Sequence, residues 1–142
     1  MAAPAATGRT LHLSVITPAK PVFDGAASSV VVPAFDGEWG VLPGHASLLA
    51  LLGTGELRVT SPDGATHRLA VRGGFLQVHK NKVTVLTQEA VAAKDISADA
   101  LRAEMQKLDA EKPTKLDERE ALAARREWAQ ARQRAARQLP PT

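Results

Sequence analysis

Between Leu11 and Leu86, apolar side chains recur in short alternating or β-branched runs, each closed by Gly, Pro, Asp or Asn. That is the pattern of half-buried strands joined by turns, an antiparallel all-β unit. Leu11, Leu13 and Val15 alternate, and Val30-Val31-Val32 stops at Pro33. Leu57 and Val59 run into Ser61-Pro62-Asp63-Gly64, and Leu69 and Val71 beyond that turn complete a hairpin. Phe75, Leu76 and Val78 follow, Lys80-Asn81-Lys82 marks another turn, and Val83, Val85 and Leu86 make the last strand. These runs predict about eight to ten short strands, enough for a small sandwich.

After Lys94 the period changes. Gly disappears, Ala, Arg, Glu and Gln dominate, and Pro113 is the interior breaker before Pro140. Ser97 fits an N-cap with Asp99 in the first turn, and Leu101, Met105 and Leu108 share one face of a helix over about 97–111. Thr114 with Asp117 resembles a capping box and opens a second helix over about 115–138. The second helix lines Ala121, Ala124, Trp128, Ala131, Ala135 and Leu139 along one stripe. At about 25 cal/mol per Å² an alanine stripe contributes little, so this αα-hairpin is expected to be held weakly and to be able to separate from its neighbours. The alternative is a hairpin permanently packed on the head. The division read from the chain is a disordered tail over residues 1–8, a β-sandwich domain over 9–94 and a helical hairpin over 95–142.

Composition narrows the function classes. With 44% hydrophobic and 23% charged residues in 142, the chain has globular proportions, and it holds no apolar run near the roughly 18 residues of a membrane span. The first eight residues lack a basic start and an apolar core, so neither secretion nor membrane insertion is expected. The absence of Cys excludes disulfides and thiolate metal sites. The net charge of +3 is uneven: residues 1–93 carry 7 basic and 6 acidic side chains, 94–124 carry 6 and 8, and 125–142 carry 5 and 1. A basic end points to an acidic partner: nucleic acid, an anionic surface or an acidic protein loop.

No catalytic constellation emerges. His12, His45, His67 and His79 have no ligand spacing between them, so no metal site is expected, and no phosphate loop, dinucleotide fingerprint or nucleophile motif is present. Gly73-Gly74 reads as a bulge or tight bend. Gly37-Glu38-Trp39-Gly40 puts a carboxylate and an amphipathic ring on a glycine-flanked turn, followed by a bend at Pro43-Gly44-His45. Taken by itself this motif is either turn chemistry with Trp39 as a lid on the core or a turn from which both side chains project to a partner.

Four segments in order carry a resemblance: Val15-Ile16-Thr17-Pro18 with Val22-Phe23-Asp24-Gly25, then Gly37 through His45, then Gly73-Gly74-Phe75-Leu76-Gln77-Val78, then Asn81 through Leu86. Together they cover most of residues 10–96 and resemble the epsilon-subunit family of F-type ATP synthases, whose mitochondrial equivalent is called delta. The resemblance implies a non-catalytic subunit of the central stalk that binds gamma and the loops of the c-ring and couples proton flow to ATP synthesis. It implies a peripheral position on the cytoplasmic face of the bacterial inner membrane, with membrane association indirect through the complex and no nucleic-acid partner. It places Glu38 at the c-ring and His45 near gamma, with Trp39 and Phe23 in the same interface. It also implies that the hairpin can extend along gamma and restrain ATP hydrolysis, bringing Arg125, Arg126, Arg132, Arg134 and Arg137 to acidic loops of the beta subunits, alongside alpha. No cofactor is implied. Some family members bind ATP as a regulatory ligand on the hairpin, and Asp99-Ala100-Leu101-Arg102-Ala103 matches most of their motif. Here the motif's leading position is Ala98, and a second arginine of those relatives is replaced near Asp109.

Overall fold

The structure, a computed structural model, describes residues 10–137, with side chains as far as Ala136. Among these, eight strands precede two helices: β1 Leu11–Ile16, β2 Pro21–Ala27, β3 Ser29–Ala34, β4 Gly37–Val41, β5 Leu48–Thr60, β6 Thr66–His79, β7 Lys82–Leu86, β8 Ala90–Ala92, a 3-10 turn at Ala93–Asp95, α1 Ala98–Ala110 and α2 Leu116–Arg137. The strands run in the order β2-β1-β7-β6-β5-β3-β4, with β8 on β6. All pairs are antiparallel except β1 with β7.

Two long strands turn this sheet into two layers. β5 has 13 residues and β6 has 14, more than one layer of a small sandwich needs. Their first pairing joins Leu48–Leu52 to Gly74–Val78; their second joins Thr54–Thr60 to Thr66–Arg72. The bend between them falls at Gly53 and at Gly73-Gly74, whose φ values of 62° and 114° favour glycine. At Gly74 an added Cβ would stand 1.8 Å from the Leu86 carbonyl oxygen. The first layer therefore holds β2, β1, β7 and one half of β5–β6, and the second holds the other half with β8, β3 and β4. The alternating residues of both layers meet between them: Leu11, Leu13, Val15, Val30, Val32, Leu57, Val59, Leu69, Val71, Leu76, Val78, Val83 and Val85 form one buried cluster. Turn chemistry sets the registers. Gly64 N–H donates to Ser61 O (2.8 Å), closing the β5–β6 turn, and Lys80 and Asn81, both at positive φ, close the two-residue β6–β7 turn.

The Ser97 hydroxyl accepts from Ala100 N–H (3.3 Å), as expected of an N-cap. The second helix differs from expectation at its start. It opens at Leu116, and Asp117 Oδ1 accepts from the adjacent Glu118 N–H (2.9 Å) instead of completing a box with Thr114. The stripe on α2 also differs. Trp128, Ala131 and Ala135 do pack down, on Ala70 of β6 with Val91 and Ile96, but Ala121 and Ala124 are exposed. Leu122 and Ala129 are buried instead, against Leu101 and Leu108 of α1. The reason is geometric: α2 lies on the second layer and also carries α1, so its apolar surface splits into two stripes roughly a third of the way around the helix from each other. Leu139 and the tail over residues 1–8 lie outside the described residues.

Replacing Gly74 with alanine is expected to cost on the order of 3 kcal/mol, because the new methyl group meets backbone and the φ is one that L-residues avoid. Urea unfolding of Gly74→Ala against the parent chain checks this; a midpoint shift within error would remove the close approach from its place in the fold.

Candidate functional site

The two layers present their outer faces differently. On the second layer α2 covers Ala70, with Trp128 buried and two guanidinium groups over its ring, Arg132 at 5.2 Å and Arg72 of β6 at 6.0 Å. On the first layer an apolar row is exposed. Ile16 pairs in register with Leu86, Leu86 with Phe75, and Phe75 with Leu51, so one row crosses β1, β7, β6 and β5. Their exposures run from 36% at Ile16 to 57% at Leu51, and Leu49, on the same face of β5, is 70% exposed. Single exposed apolar side chains are ordinary, but five adjoining ones on one sheet face form a contiguous exposed patch, which makes this face a candidate binding surface. The sequence pattern marks Phe75 and Leu86 only as strand residues; the signal for their exposure is the unbroken Phe75-Leu76 and Val85-Leu86 doublets, in which one member of each must point outward.

The glycine-flanked motif occupies the edge strand β4 and the loop after it. Glu38 is held by Arg58 of β5 in a two-pronged pair, Nη1 to Oε2 at 2.9 Å and Nη2 to Oε1 at 3.2 Å. The same Arg58 Nη1 donates to Glu56 Oε1 (2.9 Å), and Arg68 donates to the other Glu56 oxygen (3.4 Å). Glu38, and then Glu56, push the Arg58 pKa further up. Trp39, opposite Val32, is 37% exposed, so it leans over the core edge and still reaches solvent. The loop is pinned by Asn81, whose Oδ1 accepts from Gly44 N–H (2.7 Å). His45 is exposed, with Nδ1 2.7 Å from the Ala46 carbonyl oxygen, and Ser47 Oγ lies 3.2 Å from His79 Nδ1. Phe23 sits elsewhere. It belongs to β2, at the other end of the strand order from β4, and its ring tilts against His67 at 5.8 Å. Glu38 and Trp39 are thus neighbours on β4 that face opposite sides of it, His45 lies in the loop that follows, and Phe23 belongs to β2.

The hairpin arginines are engaged within the hairpin. Arg125 forms a two-pronged pair with Glu111 (2.9 and 3.2 Å). Arg126 donates to the carbonyl oxygens of Leu108 and Glu111 (2.9 and 3.5 Å), which caps the end of α1. Arg132 is paired with Glu104. Arg134 is exposed, and the side chain of Arg137 lies outside the described residues. Asp99 and Arg102 face each other on the first turns of α1 at 3.3 Å, 93% and 69% exposed. Arg102 also borders an open cleft of about 470 Å³ between the helices, lined by Leu101, Met105, Asp109 and Gln133; exposed Ala103 is not in that lining. Among the described residues no three His, Asp or Glu side chains stand where they could hold a metal, and no helix is long and apolar enough to cross a membrane.

The bond from Arg132 lowers the pKa of Glu104, and the bond from Arg125 lowers that of Glu111. A carboxylate whose folded pKa is depressed stabilises the fold above its unfolded value, about 4.3, and that contribution is lost as the pH falls through the folded value. Both pairs tie α1 to α2, so acidification below about pH 4 is expected to loosen α1 before the strands. Amide exchange of α1, corrected for its intrinsic pH dependence, should show this, and Glu104→Gln should remove part of it. Equal acid sensitivity in α1 and β1 would count against the pairs as the cause.

Residues 10–93 match the family described as ATP synthase, Delta/Epsilon chain, beta-sandwich domain. The chain is 44% identical over 94 residues to the ATP synthase epsilon chain of Nitratidesulfovibrio vulgaris (strain DP4), covering 66% of this chain and 69% of that one. It is 37% identical over 123 residues to the ATP synthase epsilon chain of Synechococcus sp. (strain JA-2-3B'a(2-13)), covering 87% and 89%. Among solved structures, a chain of the Euglena gracilis mitochondrial ATP synthase, OSCP/F1/c-ring, superposes with a TM-score of 0.80 at 22% identity, covering 89% of this chain and 81% of that one. A chain of the Tetrahymena thermophila mitochondrial ATP synthase central stalk/c-ring does so at 0.66 and 18% identity, covering 89% and 96%. These two likenesses concern the fold.

Proposed function

This chain belongs to the ATP synthase delta/epsilon family, and from that membership we propose that it joins the gamma subunit to the c-ring in the central stalk and couples proton translocation to ATP synthesis. The family match over residues 10–93 is the observation that carries the reading. The relatives are named as epsilon chains, a non-catalytic subunit, and the role here is mechanical: torque is transmitted by a rigid body with two binding surfaces.

The exposed row Ile16, Leu86, Phe75 and Leu51 supplies the gamma-binding face, since it is apolar and free of charge along its length. The β4 edge with Glu38 supplies the c-ring contact, polar groups suiting polar loops, and Trp39 and His45 flank it. Phe23, remote from that edge, acts in holding β2 against the second layer. The subunit works as a peripheral component on the cytoplasmic face of the bacterial inner membrane, attached through its complex. Regulation belongs to the hairpin. In the docked state Arg125, Arg126 and Arg132 are occupied by Glu111, the α1 carbonyls and Glu104, so reaching the acidic loops of beta requires exchanging one set of anionic partners for another. Solvent screens such pairs at the surface, so one set of anionic partners can be exchanged for another at little net cost. A regulatory nucleotide would sit in the cleft lined by Arg102, with Arg102 meeting its phosphate oxygens and Asp99, outside the lining, orienting that guanidinium group.

Phe75→Glu and Leu51→Glu, both at exposed positions, are expected to weaken gamma binding by at least about 30-fold each while leaving the thermal midpoint of the isolated chain within a few degrees. Calorimetric titration of gamma into each variant checks this; undiminished affinity in both would remove the gamma assignment from this face.

A further inference from the structure

Glu56 is a carboxylate in an unusual place. It points to the outer face of the second layer, opposite Ala70 in register, and Ala70 packs under Trp128, Ala131 and Ala135 of α2. Glu56 is 3% exposed. A charge taken out of water beneath a helix is tolerated where it is paired and its oxygens are bonded, and here Arg58 and Arg68 hold one oxygen each. Arg58 is shared, because its fork also grips Glu38 on the exposed edge strand. Two carboxylates and two guanidinium groups leave the cluster neutral. The part of α2 over this layer presents Trp128, Ala131 and Ala135, with the guanidinium groups of Arg132 and Arg72 over the Trp128 ring and Arg132 also paired with Glu104.

We propose that Arg58 is a positioning residue that couples Glu38, on the edge assigned to the c-ring, to the docking of α2 over Glu56, so that a cationic partner group on Glu38 favours release of the hairpin. The physical reason has two parts. When Glu38 is neutralised, the cluster of Glu56, Arg58 and Arg68 carries a net positive charge on the face where Arg72 and Arg132 already crowd the Trp128 ring of α2, which disfavours the docked helix. At the same time the Arg58 fork loses the bidentate grip that aims it, so the geometry of its Nη1 bond to Glu56 beneath the helix is no longer fixed from the edge strand. This inference rests on the reading of Glu38 as a rotor contact, yet its physical core can be measured in the isolated chain.

Glu38→Gln removes the charge as a partner cation does. In the full chain it is expected to speed amide hydrogen exchange across α2 about two- to five-fold, the effect of one partly exposed ion pair, with β1 amides unchanged. In an Arg58→Met background the same substitution is expected to have no further effect on α2. A Glu38→Gln effect of equal size in both backgrounds, or none in the parent chain, overturns the coupling. Where Arg58→Met unfolds the head, seen as lost β1 protection, the comparison is made in Glu56→Gln, which keeps Arg58: a reduced Glu38→Gln effect supports the coupling and an undiminished one overturns it. Binding of isolated c-ring to the parent and to Glu38→Gln is a separate arm. Equal binding there removes the rotor assignment of Glu38 and leaves the exchange result to stand on its own.

Discussion

At Gly74 the backbone of β6 passes so close to β7 that no side chain fits, the Leu86 carbonyl oxygen standing where a Cβ would be. The rest of the head follows from that contact. It lets β6, with β5 beside it, leave one layer and enter the other without breaking the ladder, so the same two strands line both walls of the core. Hydrogen bonds behind the bend hold the crossing in place: Thr87 N–H donates to Ile16 O (3.0 Å), and the Arg72 N–H is shared between Glu89 O and Thr87 Oγ1, both at 3.0 Å. Thr87 is buried and its hydroxyl donates onward to Glu89 O (3.1 Å), so the polar groups at the crossing are satisfied.

Two layers mean two outer faces, and their chemistry separates two tasks. The first-layer face is apolar and open, as suits a permanent partner. The second-layer face mixes Ala70 with Glu56, Arg58, Arg68 and Arg72, and α2 meets it with few large side chains apart from Trp128. Small apolar contacts plus ion pairs give an attachment that adds up from modest terms, so changes of charge nearby can shift it. A hairpin bound through a leucine-rich face would be harder to move.

Charge placement repeats this economy within the hairpin. The basic stretch after residue 125 is the most lopsided part of the chain, yet Arg125 and Arg132 are matched by Glu111 and Glu104 of α1, and Arg126 by the carbonyl end of the same helix. Glu104 and Glu111 are thus internal stand-ins for the acidic loops proposed as the arginines' alternative partners.

Local pattern alone determined much of this protein. Period-2 runs ending in turn residues located the strands, the change of period after Lys94 located the helices, and Ser97 and Gly64 acted as their types dictate, because each of these depends on neighbours within a few residues. The motif around Glu38 could be singled out for the same reason, and the ordered segments led to the family. What the tertiary structure decided were properties of distant pairs. The apolar row exists because Ile16, Leu51, Phe75 and Leu86 come into register from four strands. Ala121 and Ala124 are exposed, and Leu122 and Ala129 buried, because α2 touches two neighbours whose directions no helical wheel contains. Glu38 and Glu56 share Arg58 because β3 sits between β4 and β5, an adjacency that the order of residues along the chain does not reveal.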